Sequence, residues 1–186
     1  MQHIKTIDAH QHFWNYNSKE FDWITDDMSV IKKDFLPQHI YPILQENYVE
    51  GCVTVQVNQT EKENEVFLSY AEKNNFIKGI VGWIDLMALN IEDKLAYWVE
   101  YKKLKGFRHI LQGEKDRAFM LQPSFKNGIS LLKKFGFTYD ILIYPDQLQY
   151  ALELVSLFPD QKFVIDHLAK PYIKSGDIQQ WITDME

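Results

Sequence analysis

The sequence predicts an α/β fold, a TIM-like (β/α) barrel that is incomplete, with about six of the eight βα units present, and three observations support this. Six short apolar runs rich in β-branched residues alternate with longer amphipathic segments, the pattern of strands and helices taken in turn. Two of these runs, Cys52-Val53-Thr54-Val55 and Tyr139-Asp140-Ile141-Leu142-Ile143-Tyr144, are apolar with little alternation, as in strands covered on both faces, and parallel packing with helices outside follows. No glycine-rich phosphate loop follows the first strand, which counts against an open nucleotide-binding sheet. His10-Gln11-His12 follows it instead, and polar residues at the C-terminal ends of strands are how a barrel builds its site.

In chain order, the expected strands are Lys5 to Ala9, Cys52 to Val57, Gly79 to Ile84, Gly106 to Ile110, Tyr139 to Tyr144 and Lys162 to Asp166. Phe13 to Tyr48 is long and aromatic, with Pro37 and Pro42 interrupting it, and reads as an elaborated loop followed by a short helix. Glu63 to Lys73 is helical because Val66, Phe67, Tyr70 and Ala71 recur at the spacing of one helix face. Ile91 to Tyr101 repeats that pattern, with Asn90 placed to cap it. Asn127 to Phe135 stops before Gly136, and Gln147 to Phe158 stops before Pro159. No linker, repeat or low-complexity tract splits the chain, so residues 1–186 are expected to form a single domain.

Composition narrows the function classes. The 186 residues are 46% hydrophobic and 15% aromatic, enough for one sizeable core and too apolar for disorder. A net charge of −6 argues against a nucleic-acid surface, and the cluster Lys102, Lys103 and Lys105 reads as the solvated end of a helix. Cys52 is the single cysteine, so no internal disulfide forms, and it is expected to be a buried apolar residue. No apolar run reaches the roughly eighteen residues of a membrane span, and Met1-Gln2-His3-Ile4-Lys5 lacks the apolar core of a signal peptide. The expected setting is cytoplasmic, with no membrane partner.

The chemistry gathers on histidine. His10 and His12, reached through His3-Ile4-Lys5-Thr6-Ile7, lie two residues apart at a strand end. In an extended chain such residues share a side, roughly 6 to 7 Å apart. Their rings can converge on one metal ion or one polarised carbonyl, or they are surface histidines of a polar loop. A third imidazole, His167, follows the strand-like Lys162-Phe163-Val164-Ile165-Asp166.

Five ordered motifs resemble the lactonase-type branch of the amidohydrolase superfamily, which includes fuconolactonase-, rhamnonolactonase- and 2-pyrone-4,6-dicarboxylate lactonase-type enzymes. They are Ile7-Asp8-Ala9-His10-Gln11-His12-Phe13-Trp14, Trp23-Ile24, Val81-Gly82-Trp83-Ile84-Asp85-Leu86, Lys105-Gly106-Phe107-Arg108-His109-Ile110-Leu111-Gln112 and Asp166-His167-Leu168-Ala169-Lys170-Pro171. The resemblance runs from Ile4 to the end of the chain. It implies a hydrolase acting on a carboxylic ester, opening a sugar-acid lactone ring.

It further implies that His10, His12 and His167 are catalytic and point into one site, acting with no metal required or through one zinc ion held by the same three residues. Arg108 matches a substrate-binding arginine, or is structural and pairs with Asp85 or Asp140. His109 is its rival for the site, since neighbours on a strand face opposite sides. Gln56 orients substrate or caps the barrel mouth. Trp14 and Trp83 stack on a sugar ring or pack in loops. Asp8 orients a histidine or ends the strand. The family's water-activating aspartate lies at the end of a final strand, and nothing after His167 supplies it. The expectation is therefore a C-terminally truncated fragment with impaired activity, prone to self-association through unpaired barrel edges. A related decarboxylase or metal-dependent phosphoesterase, and a non-catalytic partial-barrel binding module, are the competing readings.

Overall fold

The computed structural model describes residues 5–186, so His3 and Ile4, which lead into the first strand, lie outside the described residues. The contacts divide the chain into two compact units, one running to Trp83 and including Tyr101–Leu104, the other comprising Ile84–Glu100 and Lys105–Glu186.

The first unit holds β1 (Ile7–Gln11), α1 (Pro37–Glu46), β2 (Gly51–Val55), α2 (Glu61–Lys73) and β3 (Ile77–Gly82). Its strands are parallel and adjacent in chain order, as βα repetition requires. Cys52, Val55, Phe67, Ile77 and Ile80 are almost fully buried and form its core, and each contributes roughly 1.5–3 kcal/mol of burial for the larger side chains. The β1–β2 register is uneven. Asp8 faces Cys52 and Gln11 faces Thr54, so three steps along β1 match two along β2, and β1 carries one extra residue around Ala9 and His10.

Helix α2 begins with Thr60, whose hydroxyl accepts from the Lys62 N–H, and with Glu61 and Glu63 in its first turn, where the helix dipole favours acids. Pro37 starts α1, but Pro42 lies inside the helix and does not interrupt it. Position 42 is exposed, so the ring projects into solvent and the local loss is one backbone hydrogen bond.

The second unit holds α3 (Ile91–Trp98), β4 (Leu104–His109) apart from its first residue, α4 (Pro123–Phe135), β5 (Thr138–Ile141), α5 (Leu148–Leu157), β6 (Phe163–Ile165) and α6 (Gln179–Met185). The three strands are parallel, with Arg108 opposite Asp140 and Asp140 opposite Val164. Leu95, Trp98, Ile129, Leu132 and Tyr139 are buried at its core. Helix α4 starts four residues earlier than its apolar spacing suggested, because Pro123 occupies the first helical position, and it ends at Gly136 with φ of 76°. Asn90 precedes α3 without a side-chain capping bond, contrary to expectation, and the helix begins on backbone bonds alone. Among the described residues no helix is long and apolar enough to cross a membrane.

Candidate functional site

The extra residue in β1 shapes the histidine pair. The Nε2 atoms of His10 and His12 are 3.1 Å apart, much closer than two residues of a regular strand would stand, and the rings meet edge to face. His12 Nδ1 lies 2.9 Å from the Val55 carbonyl oxygen at the end of β2. A carbonyl only accepts, so in the neutral ring Nδ1 carries the hydrogen and Nε2 is left as a lone pair. His10 Nε2–H is then the donor in the contact between the rings. The Asp8 carboxylate accepts the His10 backbone N–H at 3.1 Å, so Asp8 steers the bulged backbone.

This donor set suits zinc. Two nitrogens on one tetrahedral zinc ion, each at about 2.0–2.1 Å, stand roughly 3.3 Å apart, close to the observed separation. The Val55 carbonyl supplies the outer hydrogen bond that fixes a metal-binding tautomer.

The other candidates of the first unit have the following surroundings. Gln56 is fully buried, and its side-chain amide donates to the Asn58 carbonyl at 3.3 Å. Trp14 packs on Phe35 with ring centres 4.7 Å apart, and it lines a cavity of about 540 Å³ with Phe13, Phe21, Asn58 and Lys62, a lining that includes neither histidine of the pair. Trp83 is half-buried and held by Asn64, whose amide accepts the Trp83 N–H at 2.9 Å and donates to its carbonyl at 2.8 Å. Sequence reasoning missed this bracket. Its signal is Gly82, where a Cβ would stand 2.2 Å from Asn64 Oδ1. Glu63 was missed as well, and its carboxylate accepts the backbone N–H groups of Val57 and Asn58, bracing the loop after β2. Burial, with the Asp8 charge, pushes the Cys52 thiol up to about 12, so it is no nucleophile.

The second unit carries a charged cluster. Arg108 and Asp166 are buried and paired at 2.8 Å, and Asp140, also buried, stands opposite Arg108 on the neighbouring strand. His109 turns away from Arg108, as alternation requires. Its ring stacks on Phe119 at 5.2 Å, meets Phe125 edge-on, and bonds Glu114 at 2.8 Å.

After β6 the backbone enters the left-handed region for four consecutive non-glycine residues, His167, Leu168, Ala169 and Lys170, with φ between 51° and 54°. His167 is exposed on this turn. Such a conformation costs roughly 1–2 kcal/mol per residue. The turn is held by the Lys170 N–H donating to the His167 carbonyl, by the Trp181 indole donating to the Leu168 carbonyl at 2.7 Å, and by the fully buried Ala169.

Comparisons with known proteins bear on both units. A family model described as amidohydrolase matches residues 7–185. An L-fucono-1,5-lactonase from Burkholderia multivorans is 33% identical over 172 residues, covering 92% of this chain. The chain spans only 58% of that relative's length. An amidohydrolase from Burkholderia multivorans, solved with bound zinc, gives a TM-score of 0.93 at 31% identity, covering 98% of this chain and 65% of that one. A probable 2-pyrone-4,6-dicarboxylic acid hydrolase from Acinetobacter baumannii, solved with citric acid bound, gives 0.74 at 15% identity over 98% of this chain and 67% of that one, a likeness of fold alone. The fold class is thus the one expected, an incomplete TIM-like α/β barrel with six parallel strands.

Proposed function

The chain belongs to the amidohydrolase family, and on that premise we propose that it is a hydrolase that opens the lactone ring of a sugar acid. The observation that carries the reading is the histidine pair at the end of β1, with one ring donating and the other presenting a lone pair. The likeness to an L-fucono-1,5-lactonase supports the substrate class.

Lactone hydrolysis passes through a tetrahedral oxyanion, and donors aimed at that oxygen lower the barrier. His10 Nε2–H, whose acceptor in the free chain is His12, is the donor a lactone carbonyl takes over. His167 is assigned the same polarising role, and Arg108, held by Asp166, binds the lactone's oxygens. His109 has no part in the proposal because Glu114 and two phenylalanines occupy its ring. His10 and His12, with His167 as a further donor, would hold a divalent ion, zinc by donor type, and His10 would then give up its Nε2 hydrogen and its role as carbonyl donor. When bound it supplies Lewis-acid polarisation of the carbonyl. No residue of this chain is assigned as the base that takes the proton from water, so the expected activity is impaired. A small lactone partner and a cytoplasmic setting complete the proposal, and they fit an acidic chain with one buried thiol.

The test is acid release from L-fucono-1,5-lactone by the 186-residue chain, with and without zinc. Carbonyl polarisation without a base still accelerates acyl chemistry, so hydrolysis above the spontaneous rate is expected, falling at least about tenfold in His10→Gln. No acceleration, or decarboxylation of an aromatic acid in its place, overturns the reading.

A further inference from the structure

The left-handed turn after β6 ends on Lys170, and the surroundings of its ammonium set it apart from the other buried cation of the second unit. Arg108 is compensated by Asp166 at 2.8 Å. Lys170 is half-buried, yet among the described residues it makes no ion pair. Its Nζ donates to Gln112 Oε1 at 2.5 Å and lies 5.4 Å from the centre of the Tyr144 ring. Both partners are neutral.

Both are also fixed in place. The Gln112 N–H donates to the Leu142 carbonyl, and its own carbonyl accepts from Arg117 Nη1 at 3.0 Å. Tyr144 exchanges bonds with Gln147, whose N–H donates to the Tyr144 carbonyl while its side-chain oxygen accepts the Tyr144 N–H. The backbone strain of residues 167–170 is therefore spent on presenting a cation against a rigid neutral wall. Burial, reinforced by the nearby Arg108 charge and only partly opposed by the Asp166 carboxylate, holds the Lys170 ammonium below the usual lysine range.

We propose that Lys170 anchors the carboxylate of an open-chain sugar acid, the anionic group that appears when the lactone ring opens. This rests on the lactone-hydrolase reading. In that reaction water adds to the carbonyl carbon, the ring C–O bond breaks, the ring oxygen keeps one proton of water as a hydroxyl, and the other proton is released as the carboxylate forms. A neutral ring becomes an anion, and the ammonium without a counter-ion is the group that distinguishes them. Gln112 is its positioning residue.

The experiment titrates the full chain with L-fuconate, the acid that opening L-fucono-1,5-lactone produces, and with a neutral alditol as control. Lys170→Met is expected to weaken L-fuconate binding at least about tenfold, the loss typical of a charged hydrogen bond. Lys170→Arg retains binding to within about threefold, since the charge is kept. Gln112→Glu supplies a carboxylate that pairs with the ammonium, and reproduces the loss with Lys170 intact. Alditol binding is unchanged in every variant. Thermal melts confirm that each variant is folded, and the Gln112→Glu arm keeps the test decisive should Lys170→Met fail to fold. L-Fuconate that does not bind the unaltered chain, or binds all variants alike, overturns the proposal. Lactone hydrolysis is read separately. Lysine-dependent acid binding without hydrolysis sinks the proposed reaction and leaves the anchor standing, whereas hydrolysis with product inhibition indifferent to Lys170 does the reverse.

Discussion

The end of β1 and the ends of β4 and β6 use polar side chains in opposite ways. At β1, two imidazoles hydrogen-bond to each other and to a backbone carbonyl, groups that can be exchanged for a metal ion or a substrate oxygen at little cost. At β4 and β6, a guanidinium and a carboxylate meet in a dry setting, where removing one charge removes a close counter-charge from the other. The first arrangement is adaptable and the second is a fixed scaffold, beside which Lys170 makes no ion pair among the described residues.

Substitutions can break or sharpen this contrast. The largest expected effect is Asp166→Asn, which leaves Arg108 buried beside a neutral amide and costs about 3–5 kcal/mol of stability, read as a fall in thermal midpoint of roughly 6–20 °C. A midpoint unchanged by that substitution would show the pair to be dispensable. Gly82→Ala comes next, because its Cβ would stand 2.2 Å from Asn64 Oδ1 and force the bracket on Trp83 apart. About 1–3 kcal/mol is expected in a denaturant melt, and no loss would mean that α2 yields freely.

His12→Gln should cost under about 1 kcal/mol in the same melt, since an exchangeable hydrogen bond contributes little net stability, while it abolishes binding of zinc at this pair. A large stability loss there would erase the contrast. The smallest effect is at the exposed pair of Arg117 and Asp146. The Arg117 guanidinium holds the Asp146 carboxyl below the usual carboxylate range, so its contribution is complete above the unfolded value near 4 and disappears as pH falls through the lower folded value. Asp146→Asn should therefore destabilise by under about 1 kcal/mol at pH 7, and the difference from the unaltered chain should vanish toward pH 2. A difference that grows with acid would reverse the sign.

Much of this was legible from residue types. The alternation of apolar runs located all the strands, and the spacing of His10 and His12 marked the pair. The 3.1 Å approach of their rings was not legible, because it depends on a bulge defined by pairing with β2, and pairing register has no local signature in β1. Asp166, paired with Arg108, lies 58 residues away from it in the chain, so that pairing required the fold. His167-Leu168-Ala169-Lys170 holds no glycine or asparagine, the residues that ordinarily announce positive φ, and its left-handed turn was therefore invisible. α3 starts at Ile91 as expected although Asn90 makes no side-chain cap, whereas α4 starts four residues early because Pro123 takes its first helical position.

Nitrogen-15 NMR of the imidazoles in the metal-free chain at pH 8 tests the central contrast most directly. His12 is expected to be protonated at Nδ1 and His10 at Nε2, with both Nε2 resonances moving when zinc is added. His12 protonated at Nε2, or a pair whose resonances ignore zinc, would contradict that contrast.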